Sequence, residues 1–305
     1  MISRRLYHIS QQRTDIPDME IQQESQHRLR QIELTLRATE RFDVPLSDGY
    51  SVYSALLAVL QSADSEVSQQ VHDSEIGSLH TSGLQGTFGE GNRSYHKRVL
   101  PGEEYTLSIG VTDPDDQAIF EALVSALVLA DRPLELTHGQ LQIESFESEN
   151  TSHEVLLSEA DGLDDPTIEI EFQTATCIEE AGSVTAMFPT REAVFGSLLG
   201  KWNNTAPELE IDVSRETLAE SVIEKPDARS YDTHSVLVNR VDDPDGGTQP
   251  IFRQGFSGMC AYAFKDANES VVNAVTALAL FAEYSGVGSA VARGCGDVSV
   301  KINDK

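Results

Sequence analysis

Three stretches of this sequence hold side chains able to do chemistry. In "SQQVHDSEIGSLHTS", His72 and His80 sit eight residues apart in a polar segment. An imidazole, with its ordinary pKa of about 6.5, can take up and return a proton near neutral pH. In "NRSYHKRVLPG", Arg93, His96, Lys97 and Arg98 form the densest basic run of the chain, suited to holding phosphate oxygens. In "GVGSAVARGCGDVSV", Gly286, Gly288, Gly294 and Gly296 surround Arg293. Glycines leave backbone N-H groups unobstructed and tolerate positive φ, so such a loop can lie against a phosphodiester chain, with the Arg293 fork closing on a phosphate.

Two other chemistries fit poorly. A dinucleotide-binding glycine fingerprint follows a strand and opens a helix. Here a helical pattern, Val271, Val275, Leu278 and Ala282, runs into the glycines, and the alternating Val298, Val300 and Ile302 leave them. No nucleotide cofactor is expected. No metal site is expected either, because Cys177, Cys260 and Cys295 are too far apart for a C-x-x-C site. "DDPDGG" at 242–247 lacks the glutamate a calcium loop needs at its twelfth position, where Arg253 stands.

Charge governs how partners recognise this surface. Fifty Asp and Glu face 22 Lys and Arg, for a net charge of −28, and only 6 of those cations are lysine. The excess acid runs along the whole chain, so it is a surface property rather than a tail. Such a lysine-poor acidic surface resembles haloarchaeal cytoplasmic proteins. At about 1 M salt the Debye length is about 3 Å, so net charge says little about nucleic acid and near-contact groups decide binding. No run reaches the roughly 18 apolar residues of a membrane span, and a cytoplasmic location is expected, with residues 1–28 a polar extension.

The elements that must position these groups repeat once. Ile32, Leu34 and Leu36 alternate as a strand; Val52, Leu56, Val59, Leu60 and Ala63 share a helical face. Strand-like runs follow at 79–88 and 105–111, then a helix with Asp113 as cap, Pro114 in its first turn, and Ile119, Leu123, Leu127 and Ala130 on its face. A hairpin turning at His138 and Gly139 closes the half. After the acidic "ESENTSHEVLLSEADGLDDP", the order returns: strand Ile168, Ile170, Phe172; a helix capped by Thr190; the strands "HSVLVNRV" and "FSGMCAYAF"; a helix at 269–283; the glycine loop; the last strand. Two βαββαβ units predict an α+β protein of tandem ferredoxin-like domains at 29–147 and 167–305, joined by a linker at 148–166. Their antiparallel sheets are surfaces often used to hold RNA.

The spacing G-x-G, five residues, G-x-G, entered from "ALALFAEYSGVG", resembles the C-terminal glycine-rich loop of CRISPR-associated protein six, the endoribonuclease family that processes CRISPR repeat RNA. "FPTREAVFGSLLGKWN" and "GFSGMCAYAF" sit where that family has its second-domain helix and a Gly-Phe-x-Gly strand. The resemblance implies metal-free cleavage of each repeat of a precursor transcript by 2′-OH attack. The products would be a 2′,3′-cyclic phosphate and a 5′-OH. It places the general base at His72 and RNA contacts at Gly286, Gly288, Arg293, Gly294 and Gly296, with Lys97 and Arg98 joining from the hairpin. The family often has a tyrosine in its first helix, where Leu57 stands, and a lysine near Ser78. His80, Tyr53 or Lys97 could substitute, with His80 the expected second catalytic histidine. Partners implied are repeat RNA, before and after processing, and other CRISPR-associated proteins of an interference complex. A catalytically silent RNA-binding subunit of such a complex is the alternative.

Overall fold

The computed structural model describes residues 28–73, 79–112, 116–180, 184–242 and 247–304. The N-terminal extension, the expected cap at Asp113 and Pro114, Ser78 and most of the "DDPDGG" turn lie outside the described residues.

The first half runs β1 (Arg28–Ala38), β2 (Phe42–Pro45), α1 (Gly49–Ala63), α2 (Ser65–Asp73), β3 (Leu79–Thr81), β4 (Gln85–Gly86), β5 (Gly89–Glu90), β6 (His96–Val99), β7 (Glu104–Val111), α3 (Asp116–Leu123), β8 (Leu134–Leu136) and β9 (Gly139–Ser152). Alternation along β1 turns Ile32, Leu34 and Leu36 into the core, where they are fully buried. Each such side chain contributes roughly 1.5–3 kcal/mol on leaving water. The sheet order β3-β7-β1-β9, with antiparallel pairing of β1 to both neighbours, is the ferredoxin-like arrangement. A separate three-stranded sheet, β2-β6-β5, carries the basic run. After α3 the helix widens into a π-helical turn over Val124–Leu129. Ala126 and Leu127 are buried within this turn, while Ala130, expected on the same face, stands just past its end and is exposed.

The second half comprises α4 (His153–Asp161), β10 (Thr167–Thr176), β11 (Ile178–Glu179), β12 (Thr185–Ala186), α5 (Arg191–Thr205), α6 (Arg215–Ser221), β13 (Val222–Pro226), β14 (Asp232–Asp242), β15 (Thr248–Phe264), α7 (Glu269–Ser285) and β16 (Val298–Asn303). The order β13-β15-β10-β16 repeats that of the first sheet. The expected cap is present: the Thr190 hydroxyl accepts from the Ala193 N-H. Phe172, Trp202, Phe281 and Tyr262 fill the core.

Two expectations change. Residues 148–166 are not an open linker: up to Ser152 they continue β9, paired with β1, and from His153 they form α4. Leu156 and Ala160 bury against the second core, and the His153 ring packs edge-on at 4.5 Å from Trp202 and tilted at 5.3 Å from Phe281. The acidity belongs to the solvent faces of a strand and a helix. The second edge strand is also different. "HSVLVNRV" forms β14, a long hairpin arm on the first part of β15, and the edge position falls to β13, which was not foreseen.

Candidate nucleic-acid interface

The glycine loop connects α7 to β16 and lies in the seam between the two domains. All four glycines have positive φ, from 60° to 86°. Their N-H groups, however, are engaged within the protein. Gly286 donates to the Ala282 carbonyl at 2.8 Å, Gly288 to Ser197 Oγ at 3.0 Å, Gly294 to Val291 at 3.3 Å and Gly296 to Ala175 at 3.0 Å. The absent β-carbons admit neighbouring protein instead. A Cβ on Gly288 would stand 2.5 Å from the Cys177 carbonyl oxygen, and one on Gly296 would overlap that of Val287. Across the seam, a Cβ on Gly294 would come within 2.7 Å of the Gly49 Cα, and one on Gly286 within 2.6 Å of His80 Cδ2. Thr81 Oγ1 adds a hydrogen bond to the Ala292 carbonyl at 3.3 Å. The expectation that these glycines present bare N-H groups to RNA is therefore corrected: the loop is bare because two backbones meet there.

His80 is part of that seam. It is 2% exposed, its Nε2 lies 3.4 Å from Asp297 Oδ1, and neither ring nitrogen has a hydrogen bond among the described residues. Burial, helped by the Lys201 ammonium, lowers its pKa to about 3. Burial and Glu283 raise Asp297 to about 7. Gln85 donates to the other Asp297 oxygen at 3.0 Å. Lys201 donates to the Ser285 and Gly286 carbonyls at 2.9 and 2.7 Å; burial pushes it down to about 7, while these carbonyls at the negative end of α7 favour its charge. His80 is thus a neutral packing group out of reach of a substrate, and its expected role as second catalytic histidine has no geometric support.

The pair makes a signed prediction. A histidine whose folded pKa is depressed contributes stability that is lost as pH falls from about 6.5 toward 3. An aspartate whose folded pKa is raised contributes stability that is lost as pH rises from about 4 to 7. Relative to wild type, His80→Gln should gain stability toward acid, and Asp297→Asn should gain it toward neutral pH, each on the order of 4 kcal/mol. Urea titrations across pH 3–8 measure both, and pH-independent differences would refute the assignment.

Beside the seam a cleft of about 500 Å³ opens between the domains, lined among others by Asp48, Gln85, Lys97, Thr174, His234 and Arg293. Lys97 Nζ stands 3.0 Å from Asp48 Oδ2, donates to the Leu84 carbonyl at 3.2 Å and lies 3.9 Å above the Phe88 ring. Asp48 is buried and also accepts from the Leu84 N-H at 3.1 Å. Burial raises its carboxyl, against the opposing pull of Lys97. Arg293 is half-buried, with its guanidinium 5.2 Å from the Tyr53 ring centroid and its Nε without a partner among the described residues. His234 Nε2 is 2.7 Å from Ser257 Oγ. The cleft thus offers two cations, an imidazole and an amide to a polyanion. Sequence reading found Lys97 and Arg293 and missed Asp48, Gln85 and His234, which carry no local signal because β4, β14 and the start of α1 meet only in the folded chain.

His72 is placed elsewhere. It lies in the last turn of α2, exposed, one residue past the buried Val71. The structure does not bring it together with His80, whose strand is pulled inside by pairing of β3 with β7. Leu57 on α1 is half-buried and apolar. On β6, Arg98 parts from Lys97 by strand alternation and turns to Asp43, with Nε 2.8 Å from Oδ1. Among the described residues, no three His, Cys, Asp or Glu side chains come together as metal ligands, and no helix is long and apolar enough to cross a membrane.

Comparison with known proteins follows the same lines. Residues 170–298 match the sequence model of the family described as CRISPR-associated endoribonuclease Cas6, so the resemblance carried by the glycine loop is also found by that match. The fold is similar to that of Cas6 from Thermus thermophilus at 18% identity, with a TM-score of 0.63, covering 90% of this chain and 99% of that one. A Cas6 product complex gives a TM-score of 0.65 at the same identity and coverage. The product of a Cas6-related gene from Pyrococcus furiosus gives 0.60 at 10% identity, covering 90% and 98%. No curated protein sequence matches the chain.

Proposed function

We propose that this chain is an endoribonuclease that binds CRISPR repeat RNA and cuts the precursor transcript once within each repeat. The observation that carries the reading is the family match over residues 170–298, which contains the whole glycine loop, on a chain whose two sheets share the order of tandem ferredoxin-like domains. The cleft between the domains supplies Lys97 and Arg293 for phosphates. His72, exposed at the end of α2, is the general base in this reading. It takes the proton from a ribose 2′-OH; the oxygen attacks the adjacent phosphorus; the P–O5′ bond breaks, the 5′-oxygen takes a proton from water as it leaves, and the imidazolium returns its proton to solvent. The products are a 2′,3′-cyclic phosphate and a 5′-OH.

This chemistry needs only proton transfer and positive charge on the phosphorane, so cleavage of repeat RNA is expected to proceed in excess EDTA at high KCl. The downstream fragment should accept phosphate from polynucleotide kinase without prior phosphatase treatment. Activity restored only by an added divalent ion would overturn the metal-free route.

A second reading is favoured by one observation: His80 is sealed in the seam and Leu57 is apolar, so neither of these positions supplies His72 with a second proton-transfer group. In that reading the chain is a catalytically silent RNA-binding subunit of an interference complex. Purified protein that binds repeat RNA tightly without cutting it at any salt or pH would establish it.

A further inference from the structure

In a chain with 50 acidic and 22 basic residues, a free guanidinium has many chances to find a carboxylate. On the outer side of the β2-β6-β5 sheet only Arg98 among three arginines does so, with Asp43, among the described residues. Arg41, Arg93, His96, Arg98 and His138 gather around a single acid, Asp43, in an open depression of about 650 Å³. They come from four segments: the β1–β2 turn, the β5–β6 turn, β6 itself and the β8–β9 turn. Asp43 is already satisfied, by Arg98 Nε at 2.8 Å and by the Asn92 N-H at 2.8 Å. Arg98 Nη2 is buried without a hydrogen-bond partner, and Arg41 and Arg93, both exposed, have no carboxylate partner among the described residues.

We infer that this cluster is a second phosphate-binding site, taking the backbone of single-stranded RNA that has left the interdomain cleft. Guanidinium forks match phosphate oxygens in pairs, and at high ionic strength such contact pairs hold where long-range attraction is screened. The placement suits RNA. Lys97, on the opposite face of β6, lines the cleft, so a strand lying there crosses the sheet edge to reach Arg98 and its neighbours. The inference rests on the RNA-processing reading and adds to it a site outside the cleft.

The test is the double variant Arg41→Gln/Arg93→Gln, which leaves the Arg98–Asp43 pair intact. Affinity for repeat RNA is measured over a KCl series beside wild type, with poly-glutamate as a competing probe. Loss of two phosphate contacts on a single strand should reduce the slope of log K against log[KCl] by about 1.4, with unchanged melting temperature. An unchanged slope and affinity would overturn the site while leaving RNA binding by the cleft in place. Poly-glutamate binding that the variant loses, with RNA binding intact, would show an acidic protein as the occupant and overturn RNA. A wild type that binds no repeat RNA would remove both this site and the function on which it rests.

Discussion

His72→Ala should lower the single-turnover rate of repeat-RNA cleavage by roughly 10²- to 10⁴-fold, the range typical of a lost general acid-base group. The affinity for RNA should barely change, since binding is spread over many phosphate and base contacts and one exposed imidazole supplies little of it. The fold should also survive: His72 is exposed, while the packing of α2 rests on Val67 and Val71. A fall in rate with constant affinity and melting temperature therefore isolates chemistry. His80→Gln offers the internal contrast, because its ring lies in the seam, and its effect should appear in stability and its pH dependence first. A His72→Ala enzyme that cuts as fast as wild type would remove His72 from the mechanism and strengthen the silent-subunit reading.

Gly288→Val and Gly296→Val should each destabilise the protein by about 2–5 kcal/mol. Positive φ costs a branched residue about 1–2 kcal/mol, and forcing atoms into a closely packed site costs about 1–3 more. At Gly296 the new carbon overlaps the Val287 carbonyl, whose residue donates its own N-H back to Gly296 at 2.8 Å, so neither partner can move without breaking that bond. At roughly 2–4 °C per kcal/mol this is a fall of about 10 °C in Tm. Gly200→Ala is the control: that glycine lies inside α5 with no neighbour within 4 Å of where a Cβ would stand, and alanine there should stabilise by roughly 0.5–1 kcal/mol. If Gly288→Val melts with wild type yet loses RNA, the loop serves RNA directly and its packing role is wrong.

Alternation and helical spacing are local, so they show wherever a segment has one buried face. That is why β1, α1, α5 and α7 could be read from Ile32, Leu56, Trp202 and Leu278. The same signal misled where solvent faces dominate: residues 148–161 look like a linker because their outward side is acidic, although the inward side, Leu156 and Ala160, closes the second core. The π-helical turn after α3 also escaped, because periodicity assumes a constant pitch.

By itself, the sequence determined the α+β class, the twofold βαββαβ order, the Thr190 cap and the position of a glycine loop between the last helix and the last strand. Each follows from residues within a few positions of one another. Tertiary structure alone decided what the glycines face. Gly294 meets Gly49, Gly286 meets His80 and Thr81 meets Ala292, contacts between segments some two hundred residues apart that no spacing encodes. It likewise separated two histidines of similar local surroundings, leaving His72 in solvent at the end of a helix and drawing His80 inside, because β3 had to pair with β7 to complete the first sheet. Burial is a property of what packs over a residue, and the loop that covers His80 arrives from the other end of the chain.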